Sequence, residues 1–103
     1  MNIALTAKNI EITQAIRNFV EDKIGGLDKI LGHSEASASV EIGKPSKHHR
    51  SGEVFYAEVN LKMGGNLLRS EAQRDDLYAA IVEAKDELQT QIKKFKDKRS
   101  EHR

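Results

Sequence analysis

The sequence predicts an α+β fold: a two-layer β-α-β-β-β-α sandwich, with a four-stranded sheet carrying both helices on one face. Three observations lead there. Four segments alternate apolar and polar residues with the two-residue period of a half-buried strand. Two longer segments repeat apolar residues at three- and four-residue spacing, the signature of an amphipathic helix. The last three strands follow one another without an intervening helix, which suits an antiparallel meander. Two helices, each apolar along one stripe, must bury those stripes against a sheet, and that makes two layers.

In chain order, NIALTAK sets Ile3, Leu5 and Ala7 against Asn2, Thr6 and Lys8. The period then lengthens in EITQAIRNFVEDKIGGLDKIL, where Thr13 is placed to cap a helix and Ile16, Phe19, Val20, Ile24, Leu27, Ile30 and Leu31 form its stripe. Gly25 and Gly26 weaken that helix by about 1 kcal/mol each relative to alanine. ASASVEI returns to alternation, with Ala36, Ala38, Val40 and Ile42 on one face. EVFYAEVNLK follows, with Phe55, Ala57, Val59 and Leu61 opposite Tyr56, Glu58 and Asn60. MGGN reads as a hairpin turn, and LLRSEAQ as a weaker last strand. From Asp75, the expected cap, a long helix presents Leu77, Ile81, Ala84, Leu88, Ile92 and Phe95. The first strand precedes a helical crossover, so it is expected to lie parallel to one of the others with a right-handed connection. Residues 1–97 are expected to form the domain and 98–103 a frayed basic tail.

The 103 residues suffice for one core and leave no room for a second. Without cysteine there is no disulfide, zinc-thiolate site or thiol nucleophile, and a reducing compartment is expected. MNIALTAKNIEIT has neither a basic start nor an apolar run, so it is not expected to act as a signal peptide. No segment approaches the roughly 20 apolar residues of a membrane span. A soluble, cytoplasmic protein is expected.

The net charge of +1 conceals a segregation. Residues 1–43 carry four Lys/Arg against six Asp/Glu, and residues 53–90 four against eight. By contrast, KPSKHHRSG at 44–52 holds three cations and no acid, and residues 91–103 hold six cations against two acids. A charged partner meets these local fields rather than their sum.

The candidate sites separate on chemistry. His48 and His49 are adjacent, would diverge on a strand, and are flanked by Lys47 and Arg50, which repel a divalent ion; no metal site is expected. There is no GxSxG, HExxH, Walker loop or Rossmann glycine pattern, so neither an enzyme nor a cofactor nor a small-molecule substrate is expected. Asp75 and Asp76 open a helix, where carboxylates match the dipole. On the outer face of the sheet, Tyr56 stands among Glu41, Glu58 and Glu71, which does not make a stacking platform for single-stranded RNA. The last helix says more. At about 100° per residue, Tyr78, Lys85, Gln89, Lys93 and Lys96 share one flank, while Glu83 and Glu87 precede Lys94 and Lys98 on the other. The lysines of KKFKDK, with Lys85 and the basic hairpin tip, exceed what a helix dipole needs and point to a polyanion. Lys23, within the first helix's stripe, fits two roles: a snorkelling stem, or an ammonium held on a helix edge for phosphate.

NIALTAKNIEITQAIRNFVEDKI, KHHRSGEVFYAEVNL and DDLYAAIVEAKDEL, in that order, resemble the ribosome hibernation-promoting factor and ribosome-associated inhibitor family in its short form. EITQAIR and DLYAAI, each opening a helix, are the most specific pieces. The resemblance implies a domain like those that bind double-stranded RNA, without enzymatic activity. It also implies binding to the small ribosomal subunit, through ribosomal RNA and ribosomal proteins, in the channel of the mRNA and the A- and P-site tRNAs, so that translation is blocked under stress. By the family pattern the RNA-facing residues are Arg17, Lys23, Lys94, Lys96 and Lys98. Lys85 and Lys93 join them on helical geometry, and Lys47 and Arg50 as the hairpin tip, for which a merely solubilising loop is the other reading. Glu87 and Thr90 stand where relatives often carry basic residues, which shortens the expected strip. The protein is expected to be monomeric off the ribosome. The alternative is a general binder of structured RNA without ribosome preference.

Overall fold

The structure, a computed structural model, describes residues 1–32, 35–45 and 54–101, and the side chains of all of these except 99–101. Its elements run β1 (Asn2–Lys8), α1 (Gln14–Gly25), α2 (Asp28–Leu31), β2 (Ala36–Gly43), β3 (Phe55–Met63), β4 (Asn66–Arg74) and α3 (Leu77–Glu101). The four strands form one sheet in the order β1-β2-β3-β4, with β1 parallel to β2 and the other pairs antiparallel. The α+β two-layer architecture predicted from the sequence is the one observed, with β2 as the parallel neighbour of β1.

The alternating residues fall as their period requires. Ala38, Val40 and Ile42 of β2 and Ala57, Val59 and Leu61 of β3 are buried beneath the helices. From above, α1 supplies Val20 and Ile24, and α3 supplies Leu77, Ala80, Ile81, Ala84, Leu88 and Ile92. α3 packs mainly on β3 and β4, while α1 lies against α3 and β1. Where β4 crosses beneath α3, Ser70 is buried and its hydroxyl has no hydrogen-bond partner among the described residues.

Two glycines fix the sheet's corners, one by its turn and one by a close approach. Gly64 alone of the two loop glycines has a positive φ, 62°, so the β3–β4 turn is of type II′. Gly43 has a φ of 155°, and a Cβ there would lie 2.0 Å from the Lys8 carbonyl oxygen. That carbonyl accepts from the Lys44 amide at 3.1 Å, and Asn9 Nδ2 donates to the Lys44 carbonyl at 2.8 Å. The end of β1 is thereby clasped to the end of β2.

Two expectations need correction. The first helix is not continuous: α1 ends at Gly25, Gly26 caps it by donating its backbone N–H to the Asp22 and Ile24 carbonyls, and a separate short helix restarts at Asp28. The cap of α3 is Asp76 rather than Asp75, because the Asp76 carboxylate accepts from the Tyr78 amide at 2.9 Å. α3 itself runs to Glu101, and its last turns contain no glycine or proline. Thr13 caps α1 as predicted, its hydroxyl accepting from the Ile16 amide at 3.1 Å.

Candidate nucleic-acid interface

The seam between α1, α2 and α3 is where side chains from separate elements meet. Because the backbone turns at Gly26, α2 swings beside α3 and an open notch of about 710 Å³ forms between them. Neither glycine contributes a side chain to its wall. Lys23 of α1, Lys29 of α2 and Lys85 of α3 line it, together with Gln89, Glu21 and Asp22. Three cations from three separate helices thus face one concavity.

The lysines differ in how firmly they are held. Lys23 Nζ lies 5.5 Å from the centre of the Phe19 ring, a cation–π contact, and 3.9 Å from Asp22. Its side chain is about 39% exposed, so the stem is packed while the side chain stays partly open to water, and both roles read from the sequence are compatible in one conformation. Lys85 Nζ is 2.7 Å from Asp86 Oδ1. Such surface pairs are worth little. Lys29 is exposed and pairs with no described residue. Farther along α3, Lys96 Nζ donates at 2.7 Å to the Ile30 carbonyl of α2 and so holds the two helices together.

The structure sorts the residues proposed from the sequence. Lys23 and Lys85 come together in the notch, and Lys93 is exposed one helical turn beyond Gln89 on the same flank. Lys96 reaches the same seam but is already engaged. Lys94 and Lys98 are exposed on the flank of Gln91, whose amide donates at 2.7 Å to the Arg69 carbonyl on the β4 edge, so they do not join the notch. Arg17 is exposed on α1, six residues before Lys23 and about 120° around the helix from it, also outside the notch. Lys47 and Arg50 lie outside the described residues. Lys29 was missed: on a continuous first helix it points away from the stripe, and only the break at Gly26 turns it inward. The glycine pair was the available signal.

The opposite sheet face has a different character. Glu41, Glu58 and Glu71 lie side by side across β2, β3 and β4. Arg69 bridges two of them, 2.9 Å from Glu58 and 3.4 Å from Glu71. The Tyr56 hydroxyl donates to Glu41 at 2.7 Å. Burial, that hydrogen bond and the charges of Glu41 and Glu58 push the phenol up to about 12. A row of carboxylates repels phosphate, so the helix seam is the side suited to a polyanion. Among the described residues no group of three or more histidines or carboxylates could hold a metal ion, and no helix is long and apolar enough to cross a membrane.

A two-layer β-α-β-β-β-α domain, cationic along its helix seam and carboxylate-lined on its open sheet, is the class of protein these features define. Residues 3–100 match the family model described as Sigma 54 modulation protein / S30EA ribosomal protein, and the chain belongs to that family. It is 37% identical over 98 residues to the ribosome hibernation promotion factor of Bacillus subtilis, covering 95% of this chain and 50% of that protein. Against the factor of the same name from Deinococcus radiodurans it is 33% identical over 93 residues, 89% of this chain and 47% of the other. The chain thus spans about half the length of these curated relatives. Among solved structures, the N-terminal domain of Thermus thermophilus Protein Y superposes with a TM-score of 0.80 at 41% identity, covering 92% of this chain and 99% of that one. A ribosomal subunit interface protein from Coxiella burnetii shares the fold, with a TM-score of 0.75 at 21% identity over 94% of this chain and 99% of its own.

Proposed function

We propose that this chain is a ribosome-binding domain that silences translation. It occupies the mRNA and tRNA channel of the small subunit, at the A and P sites, and excludes translating ligands while nutrients are short. The observation that carries the reading is the convergence of Lys23, Lys29 and Lys85 from three elements on one notch, in a chain akin to proteins named for ribosome hibernation. Ribosomal RNA offers dense, folded phosphate, and the ammonium groups displace its counterions, so binding weakens steeply as salt rises. Recognition is of RNA shape more than of base sequence. The chemistry required is occupancy alone, with no bond made or broken by the protein.

Co-sedimentation with isolated small subunits at low and moderate salt, with and without mRNA and tRNA, tests the reading. Saturation near one copy per subunit, abolished when the tRNA sites are filled, is the expected outcome. Binding that does not saturate, or that is displaced equally well by generic duplex RNA, would leave a general binder of structured RNA.

A further inference from the structure

One aromatic pair stands at the end of the cationic seam. The rings of Phe19 on α1 and Tyr78 on α3 meet edge to face, with centroids 4.7 Å apart and planes at 88°. Phe19 is half-buried, whereas Tyr78 is 40% exposed; among the described residues only Leu67 is another large apolar side chain left so open. Nor does the Tyr78 hydroxyl find a hydrogen-bond partner among the described residues. The perpendicular packing fixes the plane of the Tyr78 ring without covering it.

Charge around the pair is directional. On one side Lys23 sits over Phe19 and faces the notch that Lys85 shares. On the other side Tyr78 borders a shallow depression with Asp76, Glu83 and Asp86, where Arg74 is occupied by Glu83 at 3.3 Å. A nucleotide lying against Tyr78 is therefore pulled by its phosphate toward Lys23 and repelled from the carboxylates. Aromatic rings beside cations are what unpaired bases bind: every base has a π-face, whereas bases stacked within a duplex present only their edges.

We propose that Tyr78, propped by Phe19, is a stacking site for one unpaired RNA base, with Lys23 and Lys85 taking the adjoining phosphates. This rests on the RNA-binding reading above and adds to it that the RNA met here is single-stranded or bulged rather than continuous duplex. The stack lies on the helix seam, a place the outer sheet face gave no hint of.

The test uses the intact chain and a single-stranded adenylate hexamer, with an abasic hexamer of equal charge as control. In the Tyr56→Phe protein, Tyr78 is the one remaining tyrosine and there is no tryptophan, so its fluorescence reports stacking directly. The hexamer is expected to quench it saturably, and the abasic strand is not. Tyr78→Leu is expected to weaken hexamer binding by about tenfold, the scale of one base–aromatic stack, and to leave abasic binding unchanged; Tyr78→Phe retains most of the affinity. Circular dichroism of both variants checks the fold. Equal hexamer affinity for Tyr78→Leu and the unmodified chain, or equal quenching by the abasic strand, overturns the site. If the chain still co-sediments with small subunits in that case, the ribosome reading stands without the stack. A chain that binds neither hexamer nor subunits refutes both.

Discussion

The ammonium of Lys96 donates to the main-chain carbonyl of Ile30 across 2.7 Å, joining residues 66 apart in sequence and tying α3 to the short helix α2. A lysine in a basic run is here a structural strut as well as a charge. The contact is solvent-exposed, so its net contribution is small, about 0.5–1 kcal/mol. Lys96→Met is expected to lower stability by that amount in urea unfolding while leaving the slope unchanged. Lys93→Met is expected to leave stability unaltered and to cost more in RNA affinity.

At the other end of the molecule, Gly43→Ala should be severely destabilising. A Cβ 2.0 Å from the Lys8 carbonyl oxygen forces the β1–β2 corner apart, and the positive φ adds to the strain. A loss of about 3 kcal/mol or more is expected, with amide exchange accelerating first in β1. Thermal unfolding with exchange mapping checks both.

Ser70→Ala should stabilise. The buried hydroxyl has no partner among the described residues, and its removal relieves a desolvation cost without opening a cavity larger than one oxygen. A gain of about 1 kcal/mol in equilibrium unfolding is expected. A loss would show that the hydroxyl is hydrogen-bonded in solution.

Tyr56 supplies a pH signature. Its phenol, raised from 10.0 to about 12, holds its proton more tightly in the folded chain than in the unfolded one. Its contribution to stability is therefore complete below pH 10 and is lost as the pH climbs toward 12. In a Tyr78→Phe background, ultraviolet titration of Tyr56 should have its midpoint near 12. Glu41→Gln removes the carboxylate acceptor and one charge and should lower that midpoint, while burial and the Glu58 charge continue to hold it above 10.

Much of the fold was legible because strand alternation and helical periodicity have separate physical origins and do not compete along this chain. Val40, Val59 and Ile81 are buried where their period puts them. The break at Gly26 was not legible: two glycines cost a helix only about 2 kcal/mol in total, which tertiary packing can override in either direction. With the break unseen, Lys29 could not be placed in the notch. The flank shared by Tyr78 and Lys85 followed from helical geometry alone. Which partner each would meet did not, since Phe19, Ile30 and Asp86 become neighbours by the packing of one helix on another or by a rotamer. Arg17 shows the converse, a cation suggested by family likeness that the helix turns away from the seam.

The most direct test compares two charge reversals of equal size in their affinity for isolated small subunits. Lys23→Glu with Lys85→Glu alters the helix seam, and Lys8→Glu with Lys62→Glu alters exposed positions on the opposite sheet face. The seam variant is expected to lose more than tenfold in affinity and to show a shallower salt dependence, while the sheet variant changes by less than about threefold. Equal losses from the two, or the larger loss from the sheet variant, would contradict the assignment of the seam as the RNA-binding side.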